Sequence, residues 1–464
     1  MGMKAWTPMR ARAWLEGIQY RGMQLGMERV RSMAARLGNP EISFPSILIA
    51  GTNGKGSVAA ILDSILTAAG LRTGRYTSPH LMDWTERIAV GGVPIGEEDF
   101  ARSLQAVSGE AERLQTTPFE TLTMAAFWHF DQVGLDLGVV EVGLGGRLDA
   151  TRLCRAEVTV ITAIGIDHTG ELGSDLDGIA EEKGSIMRDG IPAVLGPGTE
   201  PVYGSLRSQA SRTGARLVPA REMVDLEGGG DEGWAVAGRA AWTGRAAEAA
   251  CAAGEPAAFE WRLPLAGEHM MGNLRTALAV IGCLRGTGMS IPTDAVVEGI
   301  GSVRWPGRLQ YVSAPEGSPD LLLDVGHNPM AAQAISSEIS VRAAARHKRL
   351  VVALAEDKDL EGFIGPLIGW AEGVIATRWS GARARAPQEI AEAVERLSGR
   401  LDRRIGVETA ADPPAAVAAA TRDLGGGGLV IVTGSHNLVG PVLRVLGEEG
   451  GRERLWPAAA LSGN

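Results

Sequence analysis

Cysteine is scarce. The 464 residues contain three, Cys154, Cys251 and Cys283, too far apart for a zinc spacing or a disulfide framework. Each is expected to be a buried small apolar side chain without chemistry of its own. Long apolar runs are missing too: AEVTVITAIGI, from Ala156, falls well short of the roughly 18 residues of a membrane span, so no membrane partner is expected. The opening MGMKAWTPMRARAWLEG is basic but has neither an apolar stretch nor a small-residue cleavage site, which predicts no secretory signal and a cytoplasmic location. An excess of positive charge is also lacking. The net charge of -10 disfavours nonspecific attraction to nucleic acid and favours small-molecule partners. There is no internal repeat, and no Ser/His/Asp or Cys/His arrangement for nucleophilic catalysis.

What is present is enough apolar material, 45% of residues, for two cores, and the length suits two domains. From Ser46 onward, short aliphatic runs alternate with helical patterns, the signature of a parallel sheet with helices on both faces. SILIA (46–50) reads as a buried strand, GTNGKGS as a loop, and Val58, Ile61, Leu62, Ile65 and Leu66 recur at helical spacing. Further strands are expected at 72–77, 137–142 and 158–166. The Gly-, Ala- and Arg-rich stretch 196–260, with GGGDEG inside it, reads as peripheral hairpins and loops. WPGR at 305–308 places Pro and Gly between two folded patterns, which predicts a larger α/β domain with a parallel sheet over 1–305 and a smaller Rossmann-like α/β domain over 306–464. Strands of the second unit are expected in DLLLDV, RLVVALA, GVIATRW and GGLVIVTG, and WPAAALSGN at the end is expected to be a loose tail.

In an open α/β sheet, ligands bind at the carboxyl ends of the strands, and polar residues gather there repeatedly. Gly51, Thr52, Asn53, Gly54, Lys55, Gly56 and Ser57 form a phosphate cradle: small residues let backbone N–H groups wrap the anion at a helix N-terminus, and lysine adds charge. The motif is a variant P-loop, because Ile49 stands where the usual pattern has glycine and Gly56 separates Lys55 from Ser57. Ser78, in TSPH, offers a hard hydroxyl oxygen for Mg2+, or else caps the next helix. Glu141 lies in an aliphatic run, where a carboxylate needs a partner or a metal. It is the best Mg2+ candidate, against a salt bridge to Arg147. Asp167 and His168 are expected at the tip of the next strand. Lys183, in IAEEKGSI, reads by itself as a solvated salt-bridge lysine. Asp324, His327 and Asn328, and then Ser435, His436 and Asn437, follow strands of the second unit. These residues support a Mg-ATP enzyme with a two-domain cleft, working by phosphoryl transfer.

AGTNGKGS, YTSPHL, ERI, TPFETLTMAAF, EVGLGGRLDAT, DH, IAEEKGSI, LAGEH with Asn273, WPGRL and LDVGHNP, in this order and spacing, closely resemble the folylpolyglutamate synthase and dihydrofolate synthase family of Mur ligases. The likeness runs from about Tyr20 to Pro329, then more thinly through Asp357–Asp359 and GSHNLVG. It implies that Gly54 to Ser57 hold the ATP phosphates, that Ser78, Glu141 and His168, with Ser57, serve Mg2+, and that Lys183 is carbamylated and helps hold a second metal. By the same resemblance Lys55, Lys183 and His168 are catalytic, Asn273, Arg308 and Asp324 contact ATP, and His327 and Ser435 lie near the glutamate. The chain departs from the family pattern at Met270, Arg152, His436 and Asn437.

The reaction implied is ATP-dependent ligation of L-glutamate to dihydropteroate or a reduced folate through an acyl phosphate, by a protein expected to be a monomer. The alternatives are another Mur-type ligase acting on a cell-wall precursor and a P-loop regulatory protein. TSPHL with TPFETLTMAAF opposes the first; the absence of an NKxD pattern opposes the second.

Overall fold

The computed structural model describes residues 4–230 and 234–450; Asp231–Gly233 of the GGGDEG run and the tail Trp456–Asn464 lie outside them. Among the described residues the strands form three sheets. The first has eight strands: β1 (Pro45–Ala50), β2 (Thr73–Tyr76), β3 (Ile88–Val90), β4 (Val93–Pro94), β5 (Leu137–Glu141), β6 (Arg155–Ala163), β7 (Pro192–Gly198) and β8 (Arg216–Pro219), ordered β4-β3-β2-β5-β1-β6-β7-β8. Strands β2 and β5 to β8 run parallel to the central β1, while β3 and β4 form an antiparallel edge. The side-chain period of two is visible in β1. Ile47 and Ile49 enter one apolar core, with the helix Lys55–Ala68 and the helix Glu268–Gly286, while Leu48 and Ala50 enter the other, with the helix Pro118–Val133.

Local signals fix the helix ends. The helix Pro118–Val133 begins with Thr117 as N-cap, Pro118 in the first turn and Glu120 closing a capping box, and it stops at Gly134 in the left-handed region. Arg29 then binds the Glu120 carboxylate at 3.1 Å, tying the helix Glu28–Arg36 to this end. On the opposite side of β2, Arg75 pairs with Asp63 at 3.2 Å, both buried, and stacks its guanidinium over Trp305 at 4.9 Å.

The stretch expected to be peripheral hairpins and loops does contain a hairpin, β9–β10, but it is more ordered than that and is packed into the core. It holds the helix Tyr203–Thr213, the helix Gly244–Ala252 and the antiparallel sheet β11-β10-β9, formed by β9 (Val224–Gly230), β10 (Val236–Trp242) and β11 (Ala258–Leu263). Trp242, Phe259 and Trp261 carry that sheet into the core, so alternation hidden among Gly and Ala decided the outcome. Cys154 and Cys283 are buried as expected, but Cys251 is exposed. No helix of the described residues is long and apolar enough to cross a membrane.

The third sheet is built from β12 (Gln310–Val312), β13 (Asp320–Asp324), β14 (Lys348–Val352), β15 (Gly373–Ala376), β16 (Gly406–Thr409) and β17 (Leu429–Thr433), ordered β12-β13-β17-β14-β15-β16. Only the edge strand β12 is antiparallel. Leu322 and Leu350 face one core, Leu323 and Val351 the other. The carboxyl ends of β1, β5 and β13 all open onto one cleft.

Candidate active site

A cleft of about 810 Å³ lies between the first and third sheets. Its floor is the loop from β1 to the helix Lys55–Ala68. Gly54 adopts φ +87°, and a Cβ there would stand 2.4 Å from Asn273 Oδ1. Only glycine gives both the left-handed turn and this approach. Gly56 is crowded by Trp305, whose ring would lie 2.8 Å from an added Cβ. The first turn of the helix, with no side-chain cap, lines the cleft through Lys55, Gly56 and Ser57, and the N–H groups of such a turn suit an anion.

Lys55 curls back over this loop, donating from Nζ to the carbonyls of Gly51 at 3.0 Å and Thr52 at 3.2 Å. Burial lowers its pKa, opposed by Glu141 and Asp167. Glu141, at the end of β5, is raised by burial and opposed first by Lys55. Its hydrogen bond among the described residues is from the Ser78 N–H to Oε2 at 3.1 Å. The alternative of a salt bridge to Arg147 fails, because Arg147 pairs with Glu182 at 3.0 Å. Ser78 caps no helix; the next turn, Trp84–Arg87, is capped by Asp83. An ammonium and a carboxylate, each pushed toward neutrality, therefore share a cleft without forming an ion pair. An anion beside Lys55 and a cation beside Glu141 would relieve both.

Asp167 and His168 are not on the strand tip, since β6 stops at Ala163; they sit in the following loop. Asp167 faces the third sheet's side of the cleft. It accepts from Lys358 Nζ at 2.5 Å and Asn328 Nδ2 at 3.1 Å, and lies 3.6 Å from His327 Nε2. Although burial opposes ionisation, His327 and Lys358 hold its carboxyl far below the usual range. His168 takes a left-handed backbone, φ 51°, and burial lowers its pKa to about 4, leaving a neutral imidazole able to ligate. Ser57, Ser78, Glu141 and His168 all line the cleft, a donor set of hard oxygens and one imidazole suited to Mg2+ or Mn2+. Among the described residues no three His, Cys, Asp or Glu side chains converge on one point as a ready-made metal cluster.

Lys183 is not solvated, and among the described residues it has no salt-bridge partner. The helix Leu176–Gly184 turns it inward, 5% exposed, and burial, followed by the charge of Lys55, lowers its pKa to about 7. It lies behind the cleft wall, against which Gly146 packs: a Cβ on Gly146 would stand 3.2 Å from the Lys183 carbonyl.

Thr52, Asn53, Asn273, Arg308, Asp324 and His327 line the cleft, whereas Gly51, Lys183 and Ser435 do not. The Asp324 carboxylate accepts the backbone N–H groups of Leu309 at 2.9 Å and Gly326 at 2.6 Å, fixing the WPGR turn that carries Arg308. Ser435 Oγ accepts the N–H of Asn437 at 3.1 Å. Sequence reasoning missed the wall made by Glu268, Met271, Gln333 and Glu338. These residues sit on ordinary helical patterns, and only packing aims them inward.

Comparisons with known proteins agree with this geometry. The Mur ligase middle domain profile matches residues 49–281, and the Mur ligase glutamate ligase domain matches residues 307–436. The dihydrofolate synthase/folylpolyglutamate synthase of Escherichia coli is 33% identical over 434 residues, spanning 94% of each chain. E. coli FolC in complex with DHPP and ADP superposes with TM-score 0.82 at 30% identity, over 97% of this chain and 100% of that one. A bifunctional folylpolyglutamate synthase/dihydrofolate synthase with Mn, AMPPNP and L-glutamate bound gives TM-score 0.79 at 30% identity, over 96% and 100%.

Proposed function

The chain belongs to the dihydrofolate synthase/folylpolyglutamate synthase family of Mur ligases, and from that premise we propose how its cleft joins L-glutamate to a folate-type carboxylate with ATP. The observation that carries the reading is the meeting of Lys55 and Glu141, buried opposite charges that each need a ligand, above a glycine loop with free helix amides. The neighbours solved with ADP and DHPP, and with Mn, AMPPNP and L-glutamate, support the same ligands here.

In this reading the loop 51–57 receives the phosphates, and Lys55 exchanges the carbonyls of Gly51 and Thr52 for phosphate oxygens. Asn273 and Arg308 contact the nucleotide, and Asp324 holds the Arg308 turn in place. An oxygen of the acceptor carboxylate attacks the γ-phosphorus, ADP departs, and an acyl phosphate forms. The glutamate amine then attacks the acyl carbon; a tetrahedral intermediate collapses, phosphate leaves and the amine gives up a proton. Lys55 and the loop amides stabilise the charge that builds on the transferring group. Ser57, Ser78, Glu141 and His168 would hold a divalent cation, which when bound neutralises phosphate charge. Lys183, half neutral near pH 7, has the free amine that combines with CO2, and its carbamate would serve a second cation. His327 orients the glutamate near Asp167 and Lys358, with Ser435 at the edge of that subsite. The two units meet across the cleft, excluding water that would hydrolyse the acyl phosphate.

The domain boundary is set at Trp305/Pro306, within the segment that leaves the first core and enters β12. Both dihydropteroate and reduced folates are accepted in this reading, by a cytoplasmic monomer. The test is ADP release with Mg-ATP and L-glutamate in the presence of 7,8-dihydropteroate, tetrahydrofolate or no acceptor. Stimulation by either pterin is expected; stimulation by neither overturns the reading.

A further inference from the structure

Histidine is rare in this chain, seven in 464 residues, and two of the seven meet in the cleft. His327 follows β13, His436 follows the neighbouring parallel strand β17, and their rings stand 6.1 Å apart. The reading above gives His327 a place beside the glutamate. It leaves His436, where the chain departs from the family pattern, without a role. The backbone that carries His436 is pinned. Gly434 takes φ +117°, and a Cβ there would stand 2.2 Å from the Ala353 carbonyl oxygen, so glycine alone fits. The helix His436–Gly450 then docks on the first unit: a Cβ on Gly440 would stand 2.0 Å from the Leu81 carbonyl oxygen, and Arg444 donates to the Met82 carbonyl at 2.9 Å. The imidazole is thereby set at the seam of the two units. It lines both the cleft and a chamber of about 30 Å³ that it shares with Thr77, Glu86 and Arg308, room for about one or two waters.

The two rings differ in what their nitrogens meet. Both nitrogens of His327 face acceptors, Nδ1 the Val325 carbonyl at 3.1 Å and Nε2 the Asp167 carboxylate at 3.6 Å, which suits that ring to donate hydrogen bonds. Among the described residues the ring nitrogens of His436 have no hydrogen-bond partner. Burial, and then the charges of Arg308, His327, His80 and Arg87, hold its pKa well below the usual histidine value. An acyl phosphate beside Arg308 would bring negative charge that offsets this field at the step where a proton has to be taken. A neutral imidazole with both nitrogens unengaged can take a proton on one and release a proton from the other. The ligase reading, on which this inference rests, needs such a group. An amino acid's amine is an ammonium near neutral pH, and its nitrogen loses two protons on becoming an amide. We infer that His436 is the base that relieves the attacking amine of one of these protons and hands it to water in the chamber beside Glu86. As the C–N bond forms and the bond from the acyl carbon to the phosphate oxygen breaks, the phosphate leaves with the electron pair and takes the other proton. Glu86 accepts the N–H groups of Leu81, Met82 and Asp83 at 2.8, 2.8 and 2.7 Å, and burial raises its pKa, which favours uptake of the relayed proton.

The test separates the amine step from the phosphoryl step. The full chain, with Mg-ATP and either 7,8-dihydropteroate or tetrahydrofolate, is assayed with L-glutamate and separately with hydroxylamine, which is unprotonated at neutral pH and traps the acyl phosphate as a hydroxamate. In His436→Gln, kcat with glutamate is expected to fall about 10²–10⁴-fold, as loss of a general base does, with little change in KM, while hydroxamate formation holds. The residual glutamate reaction should climb with pH as the amine loses its proton unaided. His436→Gly should regain part of its rate with added imidazole. An unaltered kcat in His436→Gln overturns the assignment, and so does equal loss of both reactions without imidazole rescue of His436→Gly. If the unaltered protein forms no hydroxamate from either pterin acceptor, the ligase reading falls and takes this inference with it.

Discussion

Replacing Lys183 with Met is expected to make the protein more stable while abolishing its activity. An unfolded lysine titrates near 10.5, whereas the buried Lys183 titrates near 7, a difference worth roughly 4–5 kcal/mol. The cause is burial first and then the charge of Lys55, with Asp167, Glu182 and Asp149 opposing. The sign follows from proton counting. Below pH 7 both states carry the proton, and the folded state bears the full cost of enclosing an ammonium. Between about pH 7 and 10.5 the unfolded chain retains a proton that the folded one has released, so stability climbs with pH, and above that range the cost is gone. Met fills similar space without the charge. Urea unfolding followed by tryptophan fluorescence in CO2-depleted buffer should show Lys183→Met more stable than the unaltered protein by at least ~2 kcal/mol at pH 6, about half the full cost, with the gap closing by pH 10. A variant less stable at pH 6, or a gap independent of pH, would refute the burial argument. Lys183→Met should also lose ligase activity, whereas Lys183→Ala, which vacates the space, should lose it and regain part with a short carboxylic acid that occupies the place of the carbamate.

Lys55→Ala should lower ATP turnover by about 10²–10³-fold or more, as removal of one preorganised charge stabiliser does; near-normal turnover would sink the phosphate assignment. Because His168 titrates near 4, Mn2+ affinity measured by electron paramagnetic resonance should change little between pH 8 and 6 on its account and fall as pH drops toward 4, where the imidazole takes up a proton. Arg75→Met leaves Asp63 buried without its partner and should cost about 3–5 kcal/mol in urea unfolding, whereas Arg75→Met combined with Asp63→Leu should recover most of that. Asp167→Asn, which weakens the contacts to Lys358 and His327, should raise the KM for glutamate more than the KM for ATP.

The parts legible in the sequence were those where local chemistry and tertiary placement coincide. The strand before Gly51 is short and aliphatic, its loop is glycine-rich, and the helix after it repeats at 3.6 residues, so all three were readable in order. Lys183 was not, because EEK on a helix looks the same whether the third residue turns outward or inward; the packing of Gly146 and Ile186 decides it. An aliphatic run that continues through Ile166 predicts Asp167 and His168 at a strand tip, yet β6 ends at Ala163. From 196 to 260 the glycine run signals a hairpin, as β9 and β10 form, but small residues hide the helices Tyr203–Thr213 and Gly244–Ala252 and the buried face that Trp242 and Trp261 mark. The alternative of a Glu141 to Arg147 pair fell only when Glu182 proved to be the partner.

Asn53 and Asn328 exchange amide hydrogen bonds in both directions, at 3.2 and 3.0 Å. One belongs to the glycine loop after β1 and the other to the turn after β13, so the two halves of the protein are buttoned together through a residue that also lines the cleft. Linkage makes that arrangement reciprocal: by whatever factor fastening the halves alters the grip on ATP, ATP alters the fastening by the same factor. If the loop is the cradle proposed above, it is a reporter as well, and one pair of carboxamides carries the message in both directions.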